Sequence, residues 1–265
     1  MVILTGRPAC QRGPNGGYAS QALVAVSQVQ GAAQGRNRTS TSGPFRPTWV
    51  FALELLTMPD LIASLLKTLP QGSPGLFNPW TDRCVHDALH DASKQRIDRL
   101  RQHLDCKARM ILVGEAPGYQ GCRYSGIAFT SERLLMEGKV PRIQAPEERL
   151  TDRHRAFSEP SATTVWRVLM ELGLQDETIL WNAVQLHPHL PGVSWSNRPP
   201  TAHEVALGAP ALRLLHKAFP QATIIPIGKK AERLLADSGI TAAPYVRHPA
   251  NGGAAKFEEG LRAVV

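Results

Sequence analysis

Arg109-Met-Ile-Leu-Val-Gly-Glu-Ala-Pro-Gly-Tyr-Gln-Gly-Cys-Arg-Tyr-Ser-Gly-Ile-Ala-Phe-Thr-Ser131 is the stretch on which the reading of the chain turns. Its apolar run, Met110 to Val113, predicts a short buried strand. The strand stops at Gly114, and Gly118, Gly121 and Gly126 follow closely. Glycine tolerates positive φ and lets backbone amides come near a ligand, so a strand that breaks into a Gly/Pro loop predicts a ligand-facing turn. Glu115 sits in the mouth of that turn and Phe129 beyond it. A carboxylate, free amide donors and an aromatic face together suit a flat, polar ring.

Working outward, strand and helix patterns alternate. Downstream, Ser161 reads as the N-cap of a helix through Val165, Trp166, Leu169 and Met170, closed by Gly173. Thr178 to Val184 is a second strand, and Thr201-Ala-His-Glu204 is a capping box opening the next helix. Ala222 to Gly228 is a third strand, followed by a helix over Lys229 to Ala236. Pro244 to His248 is a fourth strand, and Lys256 to Ala263 a last helix. Glu132 to Pro146 reads as irregular. Upstream, Leu61 to Leu66 is a short helix, Gly72 to Trp80 a turn-rich loop, and Cys84 to Leu104 an amphipathic helix. The last carries His86 and His90, a spacing able to bind metal, but no third ligand is evident and no metal is expected.

The expected fold is α/β, a single domain with a central four-stranded, mainly parallel sheet flanked by helices. Ligands of such sheets bind outside the carboxyl ends of the strands. Gly114 and Glu115, Asn182, Gly228 and Lys229, and His248 all fall at those ends, which predicts one shared site.

Composition sets outer bounds. The chain has 265 residues and a formal charge of +8, which favours an anionic partner. Five arginines and no acid precede Glu54, leaving +3 for the remainder. Residues 1–57, rich in small and polar residues, read as a disordered or mis-started extension, with the folded domain over 58–265. No apolar run approaches the ~18 residues of a membrane helix, and no export signal is evident. Cys10, Cys84, Cys106 and Cys122 are scattered, which argues against a zinc ribbon or disulfide framework and fits the cytoplasm.

Four blocks in order carry a family resemblance. Gly114-Glu-Ala-Pro-Gly118 with Gly126-Ile-Ala-Phe129 resembles the first motif of the uracil-DNA glycosylase superfamily, most like the bacterial and archaeal family 4. Leu180-Trp-Asn182 with Asn197 to Glu204 resembles its base-reading strand and the segment after it. Ile225 to Leu235 resembles its strand–Gly–helix unit, and His248-Pro249 stands where its second motif, His-Pro-Ser, belongs. The resemblance covers roughly residues 75–262.

It implies hydrolysis of the N-glycosidic bond of flipped-out deoxyuridine, leaving an abasic site, in a nucleoid-associated, monomeric repair enzyme that binds uracil-containing single- or double-stranded DNA. Phe129 would stack on the pyrimidine and Asn182 pair with O4 and N3–H. His248 would stabilise charge on O2, helped by loop amides, and Glu115 would steady the sugar cation or orient water. Gly114, Ala116 and Gly118 would shape the base site. Arg198, Lys229, Arg247, Asn251 and Gly252 would meet the DNA backbone. Family 4 also holds an iron–sulfur cluster on four cysteines including a close pair, which this chain lacks, so no cofactor is expected. Packing around Phe77, Trp80 and the Cys84–Leu104 helix would replace it. Ala250 stands in place of the serine, and no bulky wedge follows, which favours single strands. Gly121 and Cys122 occupy acidic positions of family 4, and Gly118 the place of a thymine-excluding tyrosine.

Two further readings stay open: a glycosylase for hypoxanthine or mismatched thymine, and a non-catalytic binder of damaged or abasic DNA. A P-loop nucleotide-binding protein would need GxxxxGK[ST], and Gly121 to Thr130 has no such run.

Overall fold

Residues 57–265 are described by the structure, a computed structural model. The expectation for residues 1–57 lies almost wholly outside them. In chain order the elements are α1 (Met58–Thr68), β1 (Leu76–Phe77), α2 (Ala92–Leu104), β2 (Met110–Gly114), α3 (Cys122–Ser125), α4 (Glu132–Met136) and α5 (Pro160–Glu171). Then come β3 (Thr178–Asn182), β4 (His187–Pro188), α6 (Ala202–Ala218), β5 (Thr223–Pro226), α7 (Lys229–Asp237) and α8 (Ala254–Val264).

The main sheet is parallel, in the order β3-β2-β5. Every residue of β2 and β3 is buried, as expected of parallel strands covered on both faces. α1 packs on α2 and α6, and α5 packs on α8. Because the chain leaves β2 for β3 on one side and returns as β5 on the other, the end of β2 is the crevice where such sheets take ligands. None of the described helices is long and apolar enough to cross a membrane.

Four local expectations are corrected. The fourth strand shrinks to one parallel bridge, Ile227 to Val246, held by Gly228 N–H to Val246 O at 2.7 Å and Val246 N–H to Pro226 O at 2.9 Å. Pro244 and Pro249 flank it, and proline donates nothing to a ladder, so the sheet has three strands. The helix expected from Cys84 starts only at Ala92. The Asp87 carboxylate draws residues 84–91 into turns, accepting the Cys84 N–H at 2.8 Å and pairing with buried Arg96 at 2.8 Å. His86 and His90 therefore share no helix face, and the metal pair dissolves. His86 instead stacks on Trp195 with centroids 4.4 Å apart.

Residues 132–136, expected irregular, are α4, and Glu132 is wholly buried. The N-cap of α5 is Glu159 with Pro160 first, so Ser161 lies inside the first turn. The capping box at Thr201 and Glu204 forms as expected.

Two buried imidazoles brace the frame. His103 Nε2 accepts the Leu180 N–H at 2.8 Å, pinning α2 to β3. His187 Nδ1 accepts from Arg123 at 2.8 Å and its Nε2–H donates to Ser196 O at 2.9 Å. Burial first, then Arg142 for His103 and Arg123 for His187, pushes both down to about 3. A free histidine titrates near 6.5, so unfolding takes up protons that the fold excludes. Their stabilisation is full above about pH 6.5 and is lost as pH falls towards about 3, at up to about 1.4 kcal/mol per unit for each ring. Urea midpoints should therefore drop between about pH 7.5 and about pH 5. An unchanged midpoint would contradict the assignment.

Candidate active site

The floor is made where β2 and β3 end side by side. Gly114 pairs with Asn182 in the sheet register. A Cβ on Gly114 would lie 2.7 Å from Asn182 Oδ1 and 2.8 Å from Phe129 Cζ, so the missing side chain lets carboxamide and ring meet over one spot. Among the described residues nothing hydrogen-bonds the Asn182 carboxamide, although the residue is only 7% exposed. Its donor and acceptor face the pocket and are free for a ligand.

Phe129 adopts φ 48°, an uncommon left-handed conformation for a side-chain-bearing residue. It is held from α5: Trp166 Nε1–H donates to Thr130 Oγ1 at 3.0 Å, and that hydroxyl donates to Ala128 O at 3.0 Å.

His248 forms the facing wall, its ring 5.8 Å from that of Phe129. Its Nδ1 accepts the Ala250 N–H at 3.1 Å. In the neutral ring that leaves Nε2–H as a donor. Burial, aided by Arg247, lowers its pKa and keeps it neutral. The pocket so enclosed is about 680 Å³ and is also lined by Glu115, Ala116, Gly118, Cys122, Glu159, Lys229, Lys230 and Tyr245. Burial pushes the Cys122 thiol far up, so it is an inert wall.

The loop after β2 is positioned by a buried polar chain. Arg123 donates to His187, His187 Nε2–H also reaches Asn197 Oδ1 at 3.0 Å, and Asn197 Oδ1 accepts the Tyr119 N–H at 3.1 Å. The Ala116 and Gly118 amides have no protein acceptor among the described residues. Both Glu115 oxygens lie 3.2 Å from Lys230 Nζ.

With that geometry the comparisons agree. The family model described as uracil DNA glycosylase superfamily matches residues 143–260, a span that includes Asn182 and His248. Over that span the chain is similar to the uracil-DNA glycosylase superfamily. A solved structure, wild-type SMUG2 of Pedobacter heparinus, is similar in fold, with TM-score 0.54 and 15% identity over 79% of this chain and 98% of that one. No curated protein matches the sequence. The glycosylase fold thus accounts for β2, β3 and β5 meeting in one crevice.

Beyond the pocket runs a shallower groove of about 580 Å³, which shares Glu115, Glu159, Lys230, His248 and Asn251 with it and adds Ser161, Asn197 and Arg198. Glu115, His248, Gly114, Ala116, Gly118, Phe129 and Asn182 are all brought together. Lys229, Arg247 and Asn251 line the pocket as well. Gly252 is exposed beside Asn251 in the turn after His248.

Arg198 is a correction. Its guanidinium gives two bonds to Glu204, at 2.6 and 2.8 Å, and others to Gly75 O, His189 O and Pro199 O. These use its five donors, leaving none for phosphate. Arg123, basic but buried, likewise serves the frame.

Residues that sequence reasoning missed are Glu159, Tyr245 and, as partner of Glu115, Lys230. Only Glu159 left a signal, a carboxylate directly before a helix-opening proline.

The cluster implied by the family 4 resemblance does not fit the residues present. Four thiolates would be needed, yet no three His, Cys, Asp or Glu side chains converge among the described residues. Cys84 Sγ lies 3.4 Å from the Tyr124 hydroxyl in a cluster with Phe77 and Phe157. The expected replacement packing is joined by buried arginines: Arg96 pairs with Asp87, and Arg99 donates to Ser125 O at 2.7 Å. Burial, then Arg96, lowers Arg99 to about 10.

Two measurements follow from this geometry. Gly114→Ala should cost about 1–3 kcal/mol by overpacking and, in the protein still folded, abolish base binding, read as a single-turnover rate reduced at least about 100-fold; a rate near wild type would show that Asn182 and Phe129 do not share the spot. Arg198→Ala should destabilise by about 1–3 kcal/mol while leaving the salt dependence of DNA binding unchanged. A phosphate contact would reduce that slope by about 1.

Proposed function

We propose that the protein is a monofunctional uracil-DNA glycosylase that hydrolyses the N-glycosidic bond of flipped-out deoxyuridine. The observation that carries this reading is the unpartnered Asn182 carboxamide on the pocket floor. Uracil offers an acceptor at O4 and a donor at N3–H, which an amide matches with one donor and one acceptor. Cytosine reverses that pattern, so the amide would have to turn over to pair with it. Phe129 supplies the stacking face. The Lys229, Arg247 and Asn251 side of the pocket, with its positive charge, suits the DNA backbone.

As the bond breaks, the sugar takes positive and the base negative charge. Neutral His248, donating through Nε2–H, stabilises the anion growing on O2. The free amides of Ala116 and Gly118 lie on the same loop. Glu115 answers the cationic sugar. Lys230 is paired with Glu115, and water is the nucleophile in this reading. Flipping costs a few kcal/mol and least in single strands, which are the preferred substrate. A monomer suffices, because every named group comes from one chain.

A second base remains in view for one reason. A Cβ at Gly118 would meet only Asn197, at 3.7 and 3.9 Å, so this wall has room that could admit a 5-methyl group.

The test is a labelled oligonucleotide with one uracil, thymine or hypoxanthine, single- and double-stranded, in EDTA. Uracil should be excised, with strand breaks only after alkali and no borohydride-trapped adduct. Asn182→Ala and His248→Ala should each lower the rate about 10²–10³-fold. No excision of any base would leave a DNA binder, and a trapped adduct would make a lysine the nucleophile.

A further inference from the structure

Glu159 is the one pocket carboxylate without a cationic partner among the described residues. It sits at the N-cap of α5 but does not cap the helix. One oxygen, Oε1, accepts from Ser161 Oγ at 2.7 Å. The other has no donor among the described residues. It fills space left by Gly121, where an added Cβ would lie only 1.9 Å from Oε2.

Its support is unusually firm. Glu132, buried in α4, accepts from Arg149 at 2.7 Å, from the Thr151 hydroxyl at 2.7 Å and from the Phe157 N–H at 2.9 Å. Arg133 adds its N–H to Phe157 O at 2.9 Å and its Nε to Ser158 Oγ at 3.1 Å. The two residues before Glu159 are thereby fixed.

Its position matters more. Phe129 and Asn182 line only the inner pocket, and Asn197 and Arg198 only the outer groove. Glu115, Glu159 and His248 line both. With a base inside and the backbone outside, the glycosidic bond lies at that shared rim. Glu115 has both oxygens against Lys230, whereas Glu159 has a free one.

We propose that Glu159 is a second catalytic carboxylate, which holds the attacking water at the rim and accepts its proton. This rests on the glycosylase reading above. The water oxygen bonds to C1′, and the C1′–N1 electron pair leaves with the base anion, held by His248 Nε2–H. The water proton passes to Glu159 and then to the departing base, giving an abasic hydroxyl and neutral base.

Burial raises the Glu159 pKa, the Ser161 hydroxyl partly opposing it. The titratable groups sharing the cavity are Glu115 after β2, Cys122 in α3, Lys229 and Lys230 in α7, and Tyr245, Arg247 and His248 before α8. A base must be deprotonated, so the rate should fall on the acid side at a pH above that of an ordinary carboxylate.

The experiment is single-turnover excision from a single-stranded uracil oligonucleotide across pH, with wild type, Glu159→Gln, Glu159→Asp and Ser161→Ala, plus affinity for the same strand. Glu159→Gln should be slower by about 100-fold or more, bind DNA as wild type, and lose the acid limb. Glu159→Asp should recover part of the rate. Ser161→Ala should move the limb to higher pH, because the bond that opposes burial is gone. A Glu159→Gln rate within about threefold of wild type, or a retained limb, overturns the proposal. Should that variant fail to fold, an unmoved limb in Ser161→Ala overturns it equally. Wild type that excises no uracil overturns the proposed function and this inference together, a result distinct from an active Glu159→Gln.

Discussion

The missing side chain at Gly114 is the constraint on which the site depends. Parallel pairing of β2 and β3 sets Gly114 directly beside Asn182. Any Cβ there would occupy the volume that the Asn182 carboxamide and the Phe129 ring share. Close packing leaves no slack to absorb that methyl group. The sheet thus supplies the Asn182 carboxamide, and one glycine makes room for the Phe129 ring beside it.

What the sheet positions at its end, buried polar networks hold in place around it. Arg123, His187 and Asn197 run from beneath the pocket loop to the Tyr119 amide. Glu132 gathers side-chain and backbone donors between Arg149 and Phe157. Burial alone would raise its carboxyl, but those hydrogen bonds outweigh burial and lower it. Rigid support suits a site whose electrostatics must be in place before the bond breaks.

Division of labour between two carboxylates follows from their neighbours. Glu115 is paired to Lys230, and Glu159 touches only a hydroxyl. On the proposed mechanism the same side chain in two surroundings would serve two tasks, one answering charge and the other handling a proton. His248, kept neutral by burial and oriented by the Ala250 amide, completes the set with a donor.

Local pattern carried much of this. Apolar runs announced β2, β3 and β5, the box at Thr201 and Glu204 announced α6, and the polar residues at the strand ends announced a common crevice. These are short-range signals, written in adjacent residues. Where long-range contacts compete, they failed: Asp87 turned toward Arg96 and unmade the first part of an amphipathic helix, and flanking prolines cut the last strand to one bridge. In sequence Arg198 and Arg123 look no different from Arg247, which lines the pocket. Only the folded chain shows that Arg198 is spent on Glu204 and neighbouring carbonyls and that Arg123 is buried against His187. Glu159 left only the weak signal of a carboxylate before a helix-opening proline, since its place in the pocket depends on the space at Gly121 and on the loop clamped by Glu132. Sequence by itself determined the buried strands, the glycine loop and the polar residues at the strand ends, because periodicity and motif are local. Tertiary structure decided which charges are free and which are taken, because a charge is spent by whatever packs against it.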